Sequence, residues 1–216
     1  MKKLLFLLIY IVIFAIISSM VYKEYKNPTN DTKGGFDMAI INYQKPIDTL
    51  AKIFNLSPDY LMALIMLESS GRKKVPVRFE KRIYKQLVLT KKGKQATFER
   101  IGTKALEPFS KKELKKLASS YGPFQIMGYK SIELGIPLAK LTGKNHLYWA
   151  IKWINRNYGN FIRNNEFKNA FHIHNAGKKY PANGKPETFD PKYVEKGIEY
   201  MNYFKNHPNS RNKELN

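Results

Sequence analysis

The chain has 216 residues with 43% apolar and 13% aromatic content, enough for one domain with a real core and too apolar for global disorder. It has no cysteine, which excludes disulfides, lipidation at a cysteine and thiolate metal sites. Its formal net charge of +21 calls for a polyanionic partner: nucleic acid, anionic lipid or an acidic cell-wall polymer.

The N-terminus narrows that choice. Lys2 and Lys3 precede an apolar run from Leu4 to Val21, broken only by Ser18 and Ser19. Such a run is near the lower limit for a membrane span, and no A-x-A cleavage pattern follows it. Residues 1–22 therefore read as an uncleaved signal anchor, a transmembrane helix in the cytoplasmic (inner) membrane. The bulk of the chain is then in the cell envelope, on the periplasmic side. Secretion after signal cleavage is the alternative. Lys23 and Lys26 lessen the charge asymmetry that sets the orientation. Either topology argues against a cytoplasmic nucleic-acid binder.

Residues 23–36, with Asn27-Pro28, Asn30-Asp31 and Gly34-Gly35, are expected to form a linker. Residues 37–206 form the main domain. A helix is expected to begin near Pro46, with Ile47, Leu50, Ala51 and Phe54 as its apolar stripe. The next helix has clear ends. Ser57 caps it, Pro58 suits its first turn, Asp59 suits the positive dipole end, and Gly71 offers a left-handed stop. On it, Leu61, Leu64 and Ile65 mark one face, and Glu68 is the next position on that face.

A carboxyl group in the last turn, against apolar surface and near the negative helix end, has its pKa raised. Held protonated near neutral pH, it can act as a general acid. The alternative is a partly exposed Glu at a helix end, or one paired with a Lys.

Residues 72–97 are ambiguous. Val75-Pro76-Val77-Arg78-Phe79 reads as extended, since Pro76 opposes a helix. Ile83-Tyr84 and Leu87-Val88 fit a strand or a short helix, and Lys91-Lys92-Gly93-Lys94 fits a turn. Ser110 with Glu113 makes a capping box for a basic helix over residues 111–119. Residues 119–128 hold too many turn-formers for a helix and too many apolar residues for a surface loop. Leu147, Ala150, Ile151 and Ile154 mark a helix ending near Gly159. Phe167, Ala170, Phe171 and His174 mark another, ending at Asn175-Ala176-Gly177. Asp190-Pro191 starts a last helix with Val194, Gly197, Ile198 and Met201 on one face. Residues 207–216 read as a flexible tail. The fold class is mainly α, a helical domain with a small extended or β insertion.

Four segments in this order resemble the lysozyme-like superfamily, specifically SLT-type lytic transglycosylases and bacterial N-acetylmuramidases. Glu68-Ser69 resembles the catalytic Glu-Ser motif. Gly122-Pro123-Phe124-Gln125-Ile126-Met127 resembles the G-x-x-Q-I-M motif of the substrate groove. Residues 170–177 resemble the A-x-x-x-Y-N-x-G segment, and Tyr193-Val194 opens a final helix as in the last motif. Two details are similar to the muramidase group with a longer insertion: Phe79-Glu80-Lys81-Arg82-Ile83-Tyr84 resembles its F-E-R-H-x-F stretch, and Ala118-Ser119-Ser120-Tyr121-Gly122 its A-S-W-G lead. Two positions depart from the pattern. His174 stands where the family has Tyr before Asn-x-Gly. Lys116 stands where transglycosylases place a serine, which leaves Ser120 as the substitute.

The resemblance implies a lysozyme-like fold and cleavage of the β-1,4 bond between N-acetylmuramic acid and N-acetylglucosamine in peptidoglycan. In lytic transglycosylases a single Glu, here Glu68, serves as acid and then base while the muramoyl 6-hydroxyl closes a 1,6-anhydro ring. Glycoside hydrolysis usually needs two carboxyl groups; Glu80 is the candidate for the second, with a salt bridge to Arg78, Lys81 or Arg82 as its alternative.

Gln125, Ser120, Tyr121, His174, Asn175 and Tyr193 are the candidate substrate-binding residues. Gln125 has a loop-satisfying amide as its alternative, Asn175 a helix cap, and His174 a core histidine. Tyr121, Phe124, Tyr129, Tyr180 and Tyr193 are candidates for stacking on sugars, although most aromatics serve the core. His172 and His174 are two residues apart on a helix and make a poor chelate, so no metal and no cofactor are expected. The expected partners are peptidoglycan strands and, through the N-terminal helix, the membrane, with no nucleic acid. A non-catalytic wall-binding component of a secretion apparatus is the rival to an enzyme.

Overall fold

The computed structural model describes residues 29–207. The expected signal anchor at residues 1–22 and the tail beyond 207 lie outside the described residues. Among the described residues, no helix is long and apolar enough to cross a membrane.

The first helix, α1 (Thr29–Phe54), overturns two expectations. It already includes residues 29–36 of the expected linker, and it runs straight through Pro46. The reason is tertiary packing. Phe36, Ala39, Tyr43, Ile47 and Ala51 recur at helical spacing and are all buried, so one continuous stripe outweighs the local breakers. Its start is anchored by Phe36, which packs on Tyr200, Tyr203 and Phe204 with ring centroids 5.3, 3.9 and 5.4 Å away.

Helix α2 (Pro58–Ser69) begins as expected, with the Ser57 side chain accepting from the Tyr60 N–H. It does not have one apolar face. Every residue from Tyr60 to Met66 is buried, so α2 is the central rod of the core. It packs between α1 and the last helix, α10 (Tyr193–Asn206). The left-handed stop starts one residue earlier than expected, at Ser70 (φ 52°), and continues through Gly71 (φ 72°). Gly71 lies so close to α1 that a Cβ there would meet the Ala39 nitrogen at 2.5 Å and the Gly35 oxygen at 2.6 Å. The turn after α2 is thereby pressed onto the α1 backbone.

The insertion follows. Strand β1 (Arg78–Phe79) leads into α3 (Lys81–Lys91), which settles the ambiguous stretch as a helix. A hairpin, β2 (Thr97–Phe98) and β3 (Ile101–Gly102), is followed by α4 (Thr103–Leu106). Helix α5 (Lys111–Leu117) has the expected capping box, with Ser110 and Glu113 bonded both ways. Strands β4 (Ser119–Tyr121) and β5 (Ile126–Met127) then form a second hairpin. With β1 they make a three-stranded antiparallel sheet in the order β1-β4-β5, pairing Arg78 with Ser120 and Tyr121 with Ile126.

Two short helices, α6 (Lys130–Leu134) and α7 (Leu138–Thr142), lead to α8 (His146–Arg163). Helix α8 continues past Gly159 but is kinked at Tyr158, whose φ of −147° is not helical. Helix α9 (Phe167–Ala176) ends at left-handed Gly177 and packs on α8 and α10.

The architecture is mainly helical with a small sheet. The large core gathers α1, α2, α8, α9 and α10; a smaller one, built on Leu87, Ile101, Leu106, Leu114 and Leu117, sits under the insertion.

Candidate active site

Glu68 projects from the last turn of α2, where no basic residue complements the helix end. Its side chain is only 17% exposed. The Tyr193 hydroxyl, at the start of α10, donates to Oε1. Nε2 of His174 on α9 is 3.7 Å from the same oxygen. Burial raises the Glu68 pKa to about 7, against the lowering effects of the Tyr193 hydrogen bond and the Arg78 charge. The expected proton-holding carboxyl is thus formed by the packing of α2, α9 and α10.

His174 is a neutral partner. Burial lowers its pKa to about 4, with the Phe124 carbonyl pulling the other way. Its Nε2–H donates to the Phe124 oxygen at 3.1 Å, and its Nδ1 accepts from the Tyr158 hydroxyl at 2.6 Å. The carbonyl acceptor on one side therefore sets the tautomer. It also leaves a neutral ring, rather than a cation, beside Glu68. The kink of α8 matters here, because it delivers Tyr158 to the ring.

Tyr60, Tyr158 and Tyr193 are all buried around this centre. Burial pushes all three phenols well above their ordinary 10, and the Glu68 charge pushes the same way. They can donate hydrogen bonds, but they do not compete for the proton that Glu68 carries.

The other expected site residues are engaged elsewhere. Glu80 pairs with the exposed Arg78 at 2.9 Å, and its backbone N–H bonds Ala118. Gln125 adopts a left-handed conformation (φ 46°), with both ends of its amide used by the β4–β5 hairpin: Oε1 accepts from Ser120 Oγ at 2.7 Å, and Nε2 donates to the Gly122 oxygen at 3.0 Å. Ser120 is buried in that role. The Tyr121 hydroxyl donates to the Lys116 oxygen. Asn175 is exposed and accepts from the Phe189 N–H at 3.3 Å rather than facing Glu68. Of the aromatics weighed for stacking, Phe124 and Tyr129 are buried in the cores, while the Tyr180 hydroxyl donates to the Gly184 oxygen.

The structure therefore brings together Glu68, His174 and Tyr193. It adds Tyr158, Tyr60 and Arg78, which sequence reasoning did not place there; no spacing in the chain marks a tyrosine at a helix kink. His172 points away from Glu68, as expected from its two-residue offset. It is fully buried, donating from Nδ1 to the Lys178 oxygen and accepting at Nε2 from the Glu187 N–H.

Two grooves of about 540 and 400 Å³ lie along the 177–192 loop and share Lys168, Tyr180 and Ile198. Glu68 lines neither of them. Cavity size and chemistry thus point to different places, and the perturbed carboxyl with its two partners is the better guide to reactivity. No family model matches this chain, and neither does any curated protein or solved structure.

Proposed function

We propose that this chain is a lysozyme-like peptidoglycan lytic transglycosylase that cleaves the β-1,4 bond between N-acetylmuramic acid and N-acetylglucosamine. One observation carries the reading: Glu68 is a buried carboxyl with its pKa raised to about 7, at the end of a buried helix, held by Tyr193 and beside neutral His174. That placement agrees with the Glu-Ser, G-x-x-Q-I-M and A-x-x-x-Y-N-x-G segments quoted above.

In this reading protonated Glu68 gives its proton to the glycosidic oxygen as the bond to C1 breaks. The muramoyl 6-hydroxyl attacks C1 and returns its proton to the Glu68 carboxylate. No water is consumed, and the enzyme ends as it began. The Tyr193 hydroxyl supports the carboxylate while it is ionised, and burial favours its return to the neutral acid.

The alternative of hydrolysis with Glu80 as second carboxylate is weaker, because Glu80 is tied to Arg78 and Arg78 is the cation that acts on Glu68. The basic surface suits the carboxylates of wall stem peptides, and we place the protein at the envelope on that ground.

Glu68→Gln keeps an acceptor for Tyr193 and removes the transferable proton. It is expected to cut lysis of isolated peptidoglycan at least about a hundredfold with the helical content unchanged. Undiminished lysis refutes the assignment. Mass spectrometry of released muropeptides identifies the reaction: 1,6-anhydro ends mean transglycosylation, and reducing ends mean hydrolysis.

A further inference from the structure

Residues 72–82 lead from the turn after α2 into α3. They carry six lysines and arginines against one acid, Glu80, and all six cations are exposed. The segment is held in shape at both ends. The Tyr43 hydroxyl of α1 donates to the Arg72 oxygen at 2.6 Å. Further on, Arg78 and Phe79 form β1, an edge strand of the sheet, and the Glu80 N–H donates to the Ala118 oxygen at 2.9 Å.

Two apolar side chains stand out from this basic stretch. Val77 is 59% exposed and Phe79 46%. They are two positions apart, the spacing that shares one face of an extended chain. The alternate pair, Arg78 and Glu80, meets at 2.9 Å, as that alternation requires. The Phe79 ring packs on Tyr84 of α3 with centroids 5.8 Å apart, and Lys81 lies one turn before Tyr84 on the same helix face. A small apolar edge is thus held in water, with Lys73 and Lys74 before it and Lys81 and Arg82 after it.

This combination selects its occupant. Phosphates or carboxylates of a polymer in water would answer the cations and leave Val77 and Phe79 wet. A bilayer surface meets both: headgroup phosphates face the cations, and the outer hydrocarbon takes the apolar side chains. The Leu4–Val21 run calls for a bilayer independently, and α1, which holds Arg72, begins soon after that run, at Thr29.

We propose that Val77, Phe79 and the flanking Lys73, Lys74, Lys81 and Arg82 form a contact with an anionic membrane surface that lays the insertion against the bilayer. The contact goes beyond the enzyme reading and does not depend on it.

The chain has no cysteine, so a cysteine introduced at exposed Pro76 carries a single fluorophore while every proposed contact residue stays in place. The full chain with Pro76→Cys is reconstituted in nanodiscs of phosphatidylcholine, or of equimolar phosphatidylcholine and phosphatidylglycerol, both with quencher-labelled acyl chains. Quenching is expected to be about threefold stronger in the anionic discs. It is expected to fall to the phosphatidylcholine level when Val77→Ser and Phe79→Ser are combined, and separately when Lys73→Gln and Lys74→Gln are combined. Helical content is expected to be unchanged in both variants.

Equal quenching in the two discs overturns the proposal, and so does quenching that survives loss of both apolar side chains. A label indifferent to both discs whose emission shifts on adding duplex DNA or solubilised peptidoglycan overturns it in favour of a polymer-binding face. Lysis undiminished by Glu68→Gln sinks the enzyme assignment alone and leaves this contact standing.

Discussion

The helical body and the insertion at residues 72–118 are stabilised in different ways. The body buries seven consecutive residues of α2, Tyr60 to Met66, between α1 and α10. The insertion rests on a few leucines and on polar staples, and it carries sixteen lysines and arginines against four acidic residues. More than half of the net charge of +21 is therefore concentrated in less than a quarter of the chain. Dense packing holds a perturbed carboxyl in place, whereas a charged lobe with a small core has a large surface to offer an anionic polymer. The two meet at the β1–β4 pairing, where Arg78 both belongs to the basic lobe and acts on Glu68.

The sharpest way to break the body is at Gly71. Its left-handed φ of 72° and its contact with the α1 backbone leave no room for a side chain. Gly71→Ala is expected to cost roughly 4 kcal/mol, the sum of a strained conformation and overpacking against backbone that cannot rotate away. Urea denaturation checks this. A cost under about 1 kcal/mol would mean that α1 and the turn after α2 are not locked together.

The body also contains a cost imposed by its own site, and this sets the second comparison. Glu68 has a folded pKa of about 7 against an ordinary 4.5, so the folded chain binds its proton more tightly than the unfolded one. Stability from this group is complete below about pH 4.5 and is lost as pH rises through 7. His174 works in the opposite direction. Its folded pKa of about 4 against 6.5 makes stability rise with pH across that interval.

In the wild type the two slopes offset each other between about pH 4.5 and 6.5. Glu68→Gln removes one of them. The variant is expected to be more stable than wild type by up to about 3 kcal/mol at pH 8, with the gap closing toward pH 4.5. Urea melts at pH 5, 6.5 and 8 read it directly. A gap that does not change with pH would mean the carboxyl is solvated in the folded chain.

The contrast also explains what was legible in the sequence. Ser57, Pro58, the Ser110–Glu113 box and Gly177 act on their own neighbours, so local pattern revealed them, and Glu68 stood out as a carboxylate on an apolar face. Pro46 and Gly34-Gly35 misled because their local cost is outweighed by the burial of Phe36, Tyr43 and Ile47 against helices far along the chain. Gln125 and Asn175 lie in motif positions, yet their partners are Ser120 and Phe189, set by hairpin and loop geometry that no spacing rule carries. Tyr158 was hidden because its role depends on a kink inside an amphipathic helix.

The smallest expected effect belongs to the insertion and tests whether its stability is separate from that of the body. Lys91, in the last turn of α3, places its ammonium on three carbonyls, those of Leu106, Glu107 and Phe109, at 3.1, 2.7 and 2.7 Å. These carbonyls lie at the end of α4 and in the turn after it, where the Leu106 oxygen also accepts from the Phe109 N–H, so one cation closes the end of that segment. Lys91→Met keeps the aliphatic stem against the small core and removes only the donors. Because the site is partly open to water, the carbonyls can be rehydrated, and the expected cost is about 1–2 kcal/mol. Amide hydrogen exchange should show this cost as faster opening over residues 81–118, with protection of α2 unchanged. If α2 loses protection by the same amount, the insertion and the body unfold as one unit, and the basic lobe is part of the frame that keeps Glu68 buried.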